Sequence, residues 1–190
     1  MKYLLPLIAV LFASSCSRTV TRVDPSTPID LSGRWNDTDS RKVADQMIYE
    51  LFKSDGFRNY ADALGRRPVI VVGIIRNKTS EHIDANNFVK KIELVVHQSG
   101  LADLVESDEF RDKLRQERAE QQDFADPATV ARWGKETGAD VMLFGEMNSE
   151  TDVYNNKRVT NYITTLFLTD IETNRRIWYG QNEIKKLVKN

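Results

Sequence analysis

The sequence predicts one α/β domain, a single-domain sandwich with a mixed sheet of four or five strands flanked by helices, and three stretches carry that expectation. Val69-Ile70-Val71-Val72-Gly73-Ile74-Ile75 is a continuous β-branched run without alternation, the pattern of a strand covered on both faces. Residues 84–98 follow with Phe88, Ile92, Val95 and Val96 at helical spacing, and Leu104-Val105-Glu106 supplies a second short strand, so the three pieces make a right-handed βαβ unit. Near the C-terminus, residues 158–170 and 175–181 are rich in Thr, Tyr, Ile, Phe and Trp around Glu172-Thr173-Asn174, which reads as an antiparallel hairpin.

In chain order, residues 1–15 have the layout of an export signal: Lys2, an apolar core over residues 4–12 interrupted by Pro6, then Ala13-Ser14-Ser15 before Cys16. The apolar core is much shorter than the roughly twenty residues of a permanent membrane span. Its order of apolar core, small residues and cysteine resembles a bacterial lipobox, in which the thiol becomes a thioether to diacylglycerol; Ala13 stands where that pattern has Leu. Cys16 is thus the expected lipid-attachment residue, and an ordinary signal peptide cleaved nearby is the other reading. Cys16 is also the single cysteine, so an exported chain has no internal disulfide to form. Ser17 in place of Asp resembles outer-membrane sorting, with the chain facing the periplasm.

Residues 16–36, Thr-, Ser- and Pro-rich, read as a lipid-anchored flexible tether that spans at most about 70 Å when stretched. Residues 37–190 are the expected globular domain, large enough to bury about 70% of the surface of its extended chain. Thr38-Asp39-Ser40 offer caps for a helix over residues 40–53 with Ala44, Ile48, Leu51 and Phe52 on one stripe. Asp37 and Asp39 read as caps and dipole partners rather than as a metal pair. Gly56-Phe57 and Gly65-Arg66-Arg67-Pro68 punctuate the chain before the first strand, which ends in the polar loop Arg76-Asn77-Lys78-Thr79-Ser80. Ser107 or Asp108 opens a charged helix to about residue 122 with a thin stripe of Phe110, Leu114 and Ala119, either a surface helix or a partner-contacting arm. Asp126-Pro127 opens another helix to Thr137 with Val130, Ala131 and Trp133 as its apolar members. Residues 141–147 form a second continuous apolar strand, and residues 148–156 are a polar turn.

With 27 basic and 28 acidic side chains the net charge is −1, so no global field recruits nucleic acid. The two histidines, His82 and His97, stand apart, and no nucleophile elbow, zinc-protease pair, phosphate loop or dinucleotide fingerprint occurs. The expectation is a chain without catalytic residues, metal or cofactor, although a pair of carboxylates brought together in space is not legible in sequence.

Three blocks resemble one family. They are residues 30–40, with Gly33-Arg34-Trp35-Asn36-Asp37 leading into the first helix; residues 69–79, a strand closing in Arg76-Asn77-Lys78-Thr79; and residues 164–180, with Asp170-Ile171-Glu172-Thr173 and Ile177-Trp178. In order and texture they are similar to the penicillin-binding protein activator LpoB family, bacterial lipoproteins whose domain looks like the N-terminal domain of TolB. The resemblance implies a non-enzymatic outer-membrane lipoprotein that binds the docking domain of a bifunctional peptidoglycan synthase, a penicillin-binding protein, and stimulates it. It places Arg76, Asn77 and Thr79 at the family's strand-end motif as partner-binding residues, with loop geometry as an equal account of Asn77. The tether is shorter than the long Pro-rich one associated with the family, which leaves an envelope assembly or transport lipoprotein as the alternative.

Overall fold

The structure, a computed structural model, describes residues 18–126, 128–129 and 136–189. Cys16 and the signal segment lie outside the described residues, and so do Val130, Ala131 and Trp133 of the expected helix over residues 126–137. What is described there is a turn in which Thr129 N–H donates to Asp126 O.

Helix α1 (Asp37–Lys53) starts earlier than its expected boundary because Asn36, not residues 38–40, is its cap. The Asn36 side chain accepts from Asp39 N–H and the Asp39 carboxylate accepts from Asn36 N–H, a reciprocal capping box. Helix α2 (Asp55–Leu64) occupies the stretch the sequence marks only with breaks; the Ser54 hydroxyl caps it and Gly65 ends it in the left-handed region. Phe57 is the buried residue of α2 and meets Phe52 edge to face at 4.9 Å.

Strand β1 (Val69–Asn77) leads to α3 (Ala85–Ser99), which Asp84 caps and Gly100 closes. Strand β2 is short (Asp103–Leu104), and α4 (Asp108–Phe124) is charged and exposed along most of its length. Three long strands finish the chain, β3 (Val141–Tyr154), β4 (Lys157–Asp170) and β5 (Arg176–Lys189).

The five-stranded mixed sheet has the order β2-β1-β3-β4-β5. β1 lies parallel to both β2 and β3, and β3, β4 and β5 are successively antiparallel. One face of the sheet packs on α1, α2 and α3, where Met47, Ile48, Leu51, Phe88 and Ile92 interdigitate with Ile70, Val72, Leu143, Leu166 and Leu168. This is the expected α/β sandwich.

Two strand boundaries differ from the expected ones for one physical reason. β3 continues past Met147 to Tyr154, so the expected turn at residues 148–156 shrinks to Asn155-Asn156, with Asn155 in the left-handed region. β5 likewise runs to Lys189 instead of stopping near Gln181. β1 pairs with β3 only as far as Met147, and from there β3, β4 and β5 project as a three-stranded arm. Backbone ladders hold the arm; the β3 side chains from Glu150 to Tyr154 lie in solvent, whereas β4 and β5 keep one face buried or half-buried through Thr160, Tyr162, Ile184 and Val188.

At the opposite end Asp140 ties three segments together. Its carboxylate takes a bidentate pair of bonds from Arg66, both at 2.7 Å, and a third from Val69 N–H. Its own N–H donates to Val69 O and its carbonyl accepts from Ile171 N–H. The Arg66 guanidinium holds the Asp140 carboxyl below the usual carboxylate range. Because the folded value is depressed, this contribution is complete above the unfolded value of about 4 and is lost as pH falls through the folded value. Asp140→Asn is therefore expected to lower stability at neutral pH and to flatten the fall in stability below about pH 5, measured by urea unfolding across that range. An unchanged acid slope would remove Asp140 as a contributor.

Candidate partner-binding surface at the end of strand β1

The loop after β1 is built by the side chain of Asn77. Its amide donates to Glu81 O at 2.8 Å and Ile83 O at 3.3 Å, and its carbonyl oxygen accepts from Thr79 N–H at 2.9 Å and from the Thr79 hydroxyl at 2.7 Å. Such local bonding is what Asn and Thr supply where a strand must turn. Asn77 and Thr79 thus have their polar groups engaged inside the loop, and both are half-buried.

Arg76 is placed differently. It sits opposite Glu146 of β3, exposed, on the face away from the helices. Lys78 reaches the same carboxylate at 2.5 Å. The Lys78 ammonium and the Asn148 amide hold the Glu146 carboxyl below its ordinary value. The sequence motif therefore divides in two: Asn77 and Thr79 shape the loop, while Arg76 and Lys78 present positive charge around Glu146.

Behind this loop lies a cluster that the sequence reading did not find. Glu81 accepts from the Tyr162 hydroxyl at 2.7 Å and from Trp35 N–H at 3.1 Å. Tyr162 is 1% exposed, and burial together with Glu81 pushes its phenol above the ordinary value. The Trp35 ring meets Tyr162 at 5.6 Å and Phe88 at 6.2 Å, both edge to face, and its Nε1–H donates to the Ser40 hydroxyl at 2.7 Å.

Residues 29–36 therefore form a strap across the domain rather than a free continuation of the chain before them. Lys186 of β5 fastens it, with Nζ 2.5 Å from Asp30, 2.6 Å from Asp39 and 2.9 Å from Arg34 O. Burial pulls the Lys186 ammonium down, but its bonds to Asp30 and Asp39 outweigh this and raise it above its ordinary value. The strap crosses closely over β5 at Gly33, whose φ is +67° and where a Cβ would collide with Val188. The sequence signals for this strap were a Trp within a polar stretch and a Tyr on the core-facing register of β4; neither names its partner.

Among the described residues, no group of three His, Cys, Asp or Glu side chains is arranged to hold a metal, and no helix is long and apolar enough to cross a membrane. His82 and His97 are both exposed.

Residues 39–184 match the family model described as the peptidoglycan-synthase activator LpoB. Among solved structures, the LpoB C-terminal domain from Salmonella enterica is 16% identical, with 77% of this chain and 98% of that chain covered at a TM-score of 0.45. The LpoB C-terminal domain from Escherichia coli is also 16% identical, with 80% and 99% covered at 0.45. The NMR structure of E. coli LpoB is 14% identical, with 94% and 86% covered at 0.43. No curated protein matches.

Glu81→Ala removes the acceptor of both the Tyr162 hydroxyl and Trp35 N–H. It is expected to cost about 1–3 kcal/mol in urea unfolding, the range for a half-buried polar pair left without its partner. It is also expected to increase amide exchange at residues 33–36 relative to the core of β4. A uniform change across the domain would mean that Glu81 does not hold the strap.

Proposed function

The chain belongs to the LpoB family of peptidoglycan-synthase activators, and on that footing we propose that it is a lipoprotein, acylated at Cys16, that binds and stimulates a bifunctional penicillin-binding protein. The observation that carries this reading is the family match over residues 39–184, which takes in all of the helices but the first two residues of α1 and nearly all of the sheet described above. In this reading the protein performs no chemistry of its own. It binds the active conformer of the synthase more tightly than the resting one, and that difference in affinity is the whole of the stimulation.

Arg76 is the proposed contact residue for the synthase's docking domain, with Lys78 beside it, while Asn77 and Thr79 hold the loop in shape. An arginine suits this place because its guanidinium presents a planar fork to a partner carboxylate. The anchor lies in the outer membrane and the domain faces the periplasm. Since the strap holds residues 29–36 on the domain, the free tether comprises residues 16–28, and the synthase is met close to the membrane that carries the lipid.

Two measurements check this. Stimulation of purified candidate synthases by the full-length acylated protein should appear in a glycan-polymerisation assay. Arg76→Glu should weaken binding about three- to tenfold without lowering the melting temperature, whereas Asn77→Ala should lower the melting temperature as well. Equal stimulation by Arg76→Glu would move the contact elsewhere, and no stimulation of any synthase of the same cell would overturn the activator reading. Separately, Cys16→Ala should release the protein from washed membranes; retention there would remove the cysteine as anchor.

A further inference from the structure

We propose that the free end of the β3–β4–β5 arm rests on the anionic lipid surface to which the chain is tethered, so that the arm sets the orientation of the domain on the membrane. This builds on the proposed lipid anchor at Cys16.

The residues at that end combine two chemistries. Tyr154, Val153 and Leu187 are 75%, 62% and 54% exposed, although two of them belong to the apolar classes that normally avoid solvent. Pairing places Tyr154 opposite Lys157, and Lys157 opposite Lys189, so these three side chains share one face; Leu187 and Lys185 lie on the same face further along β5. Lys157, Lys185 and Lys189 are exposed and form no ion pair among the described residues. An exposed aromatic and aliphatic group framed by lysines fits the headgroup layer, where the apolar parts enter and the ammonium groups meet lipid phosphate.

The acidic groups on this face define which part approaches. Glu150 and Asp152 lie toward the β3 edge, and Glu183, bonded to Asn161 and Gln181, lies further from the arm's end. The extreme end, with Tyr154, Lys157 and Lys189, and the part of β5 with Leu187 and Lys185 are therefore the basic and apolar contact. The acidic groups lie behind it, Asp152 and Glu150 further back on β3 and Glu183 beside Lys185 further back on β5.

The route of the chain brings this end to the lipid. The strap is fastened to β5 at Lys186, within the arm itself. The number of residues from Asp30 back to Cys16 limits the separation of the two to at most about 50 Å. An acyl group at Cys16 thus holds the arm at high local concentration above the bilayer, where a weak contact is enough to be occupied.

The test uses the mature chain from position 16 with Cys16→Ser, so that no acyl group carries it to lipid; every described helix and strand and the strap lie beyond residue 28. In co-sedimentation, this protein is expected to bind vesicles of phosphatidylcholine mixed with phosphatidylglycerol and to lose that binding in high salt or on phosphatidylcholine alone. The combined Lys157→Ala, Lys185→Ala and Lys189→Ala variant should bind about a hundredfold more weakly, a factor of about five for each lysine. Tyr154→Ser with Leu187→Ser should weaken binding about tenfold at constant charge and decides the matter if the lysine variant melts early. Binding that ignores lipid charge, or that both variants leave unchanged, overturns the proposal. Because no acylated protein is used, a failed anchor and a failed arm contact give different results.

Discussion

The ammonium of Lys186 sits where three distant parts of the chain meet: the strap through Asp30 and the Arg34 carbonyl, the first turn of α1 through Asp39, and the edge strand β5 that bears it. Its side chain is 10% exposed and that of Asp39 is 7% exposed, so neither charge is solvated well enough to stand alone. A charge withdrawn from water is tolerable only when its partners replace the lost hydration, and here two carboxylates and a carbonyl do so. Asp39 has a second task, since the same carboxylate closes the capping box at the N-terminus of α1, where the helix dipole also favours a negative charge. The start of the first helix, the seating of the strap and the position of the last strand are thus one coupled arrangement.

From that arrangement the two ends of the sheet acquire different characters. At one end Asp140 joins Arg66 and Val69 through its carboxylate and Ile171 through its backbone carbonyl, so the approach to β1, the start of β3 and the segment after β4 are fixed by a single residue. Nearby, Asp170 takes a bond from Tyr60 of α2 and two from Thr173, which pins the β4–β5 turn. At the other end the sheet leaves its helices behind, and the arm depends on backbone pairing and on the strap that Lys186 and Tyr162 hold across it. The loop after β1 lies between these regimes, beside the last pairs that β1 makes with β3. Arg76 and Lys78 are consequently displayed from a rigid base.

The parts of this fold that were legible in the sequence are those whose burial writes a period into the chain. β1 is a β-branched run because side chains on both of its faces are buried from Val69 to Val72, Ile70 and Val72 in the core beneath the helices, although Ile74 further along is exposed; α3 shows Phe88, Ile92 and Val96 because these three face the core. The remainder was illegible for definite reasons. α2 carries Phe57, Tyr60, Ala61 and Leu64 at helical spacing, but the stripe is only two turns long, Phe57 alone in it is fully buried, and Gly56 near its start looks like a break. Residues 148–154 carry polar side chains on both faces, so nothing distinguishes a solvated strand from a loop until β4 is seen beside it. At the candidate site, Arg76, Asn77 and Thr79 were found together as a strand-end motif, but their division into loop-shaping and outward-facing groups depends on alternation past the end of β1. The Trp35–Glu81–Tyr162 cluster joins residues far apart in sequence, and pairings of that kind leave no local periodicity.

The strap also governs how force would travel. A pull arriving along the chain from residue 28 meets the Asp30–Lys186 ion pair first, then the crossing at Gly33, then the Trp35 ring wedged against Phe88 and Tyr162. The cap of α1 is loaded at the same point as the ion pair, since the Asn36 side chain donates to Ile29 O and Asp30, and Lys186 bridges Asp30 to Asp39. A pull on residue 28 is therefore shared from the outset between the edge strand β5 and the first helix, through Lys186 and Asn36, instead of peeling one element at a time.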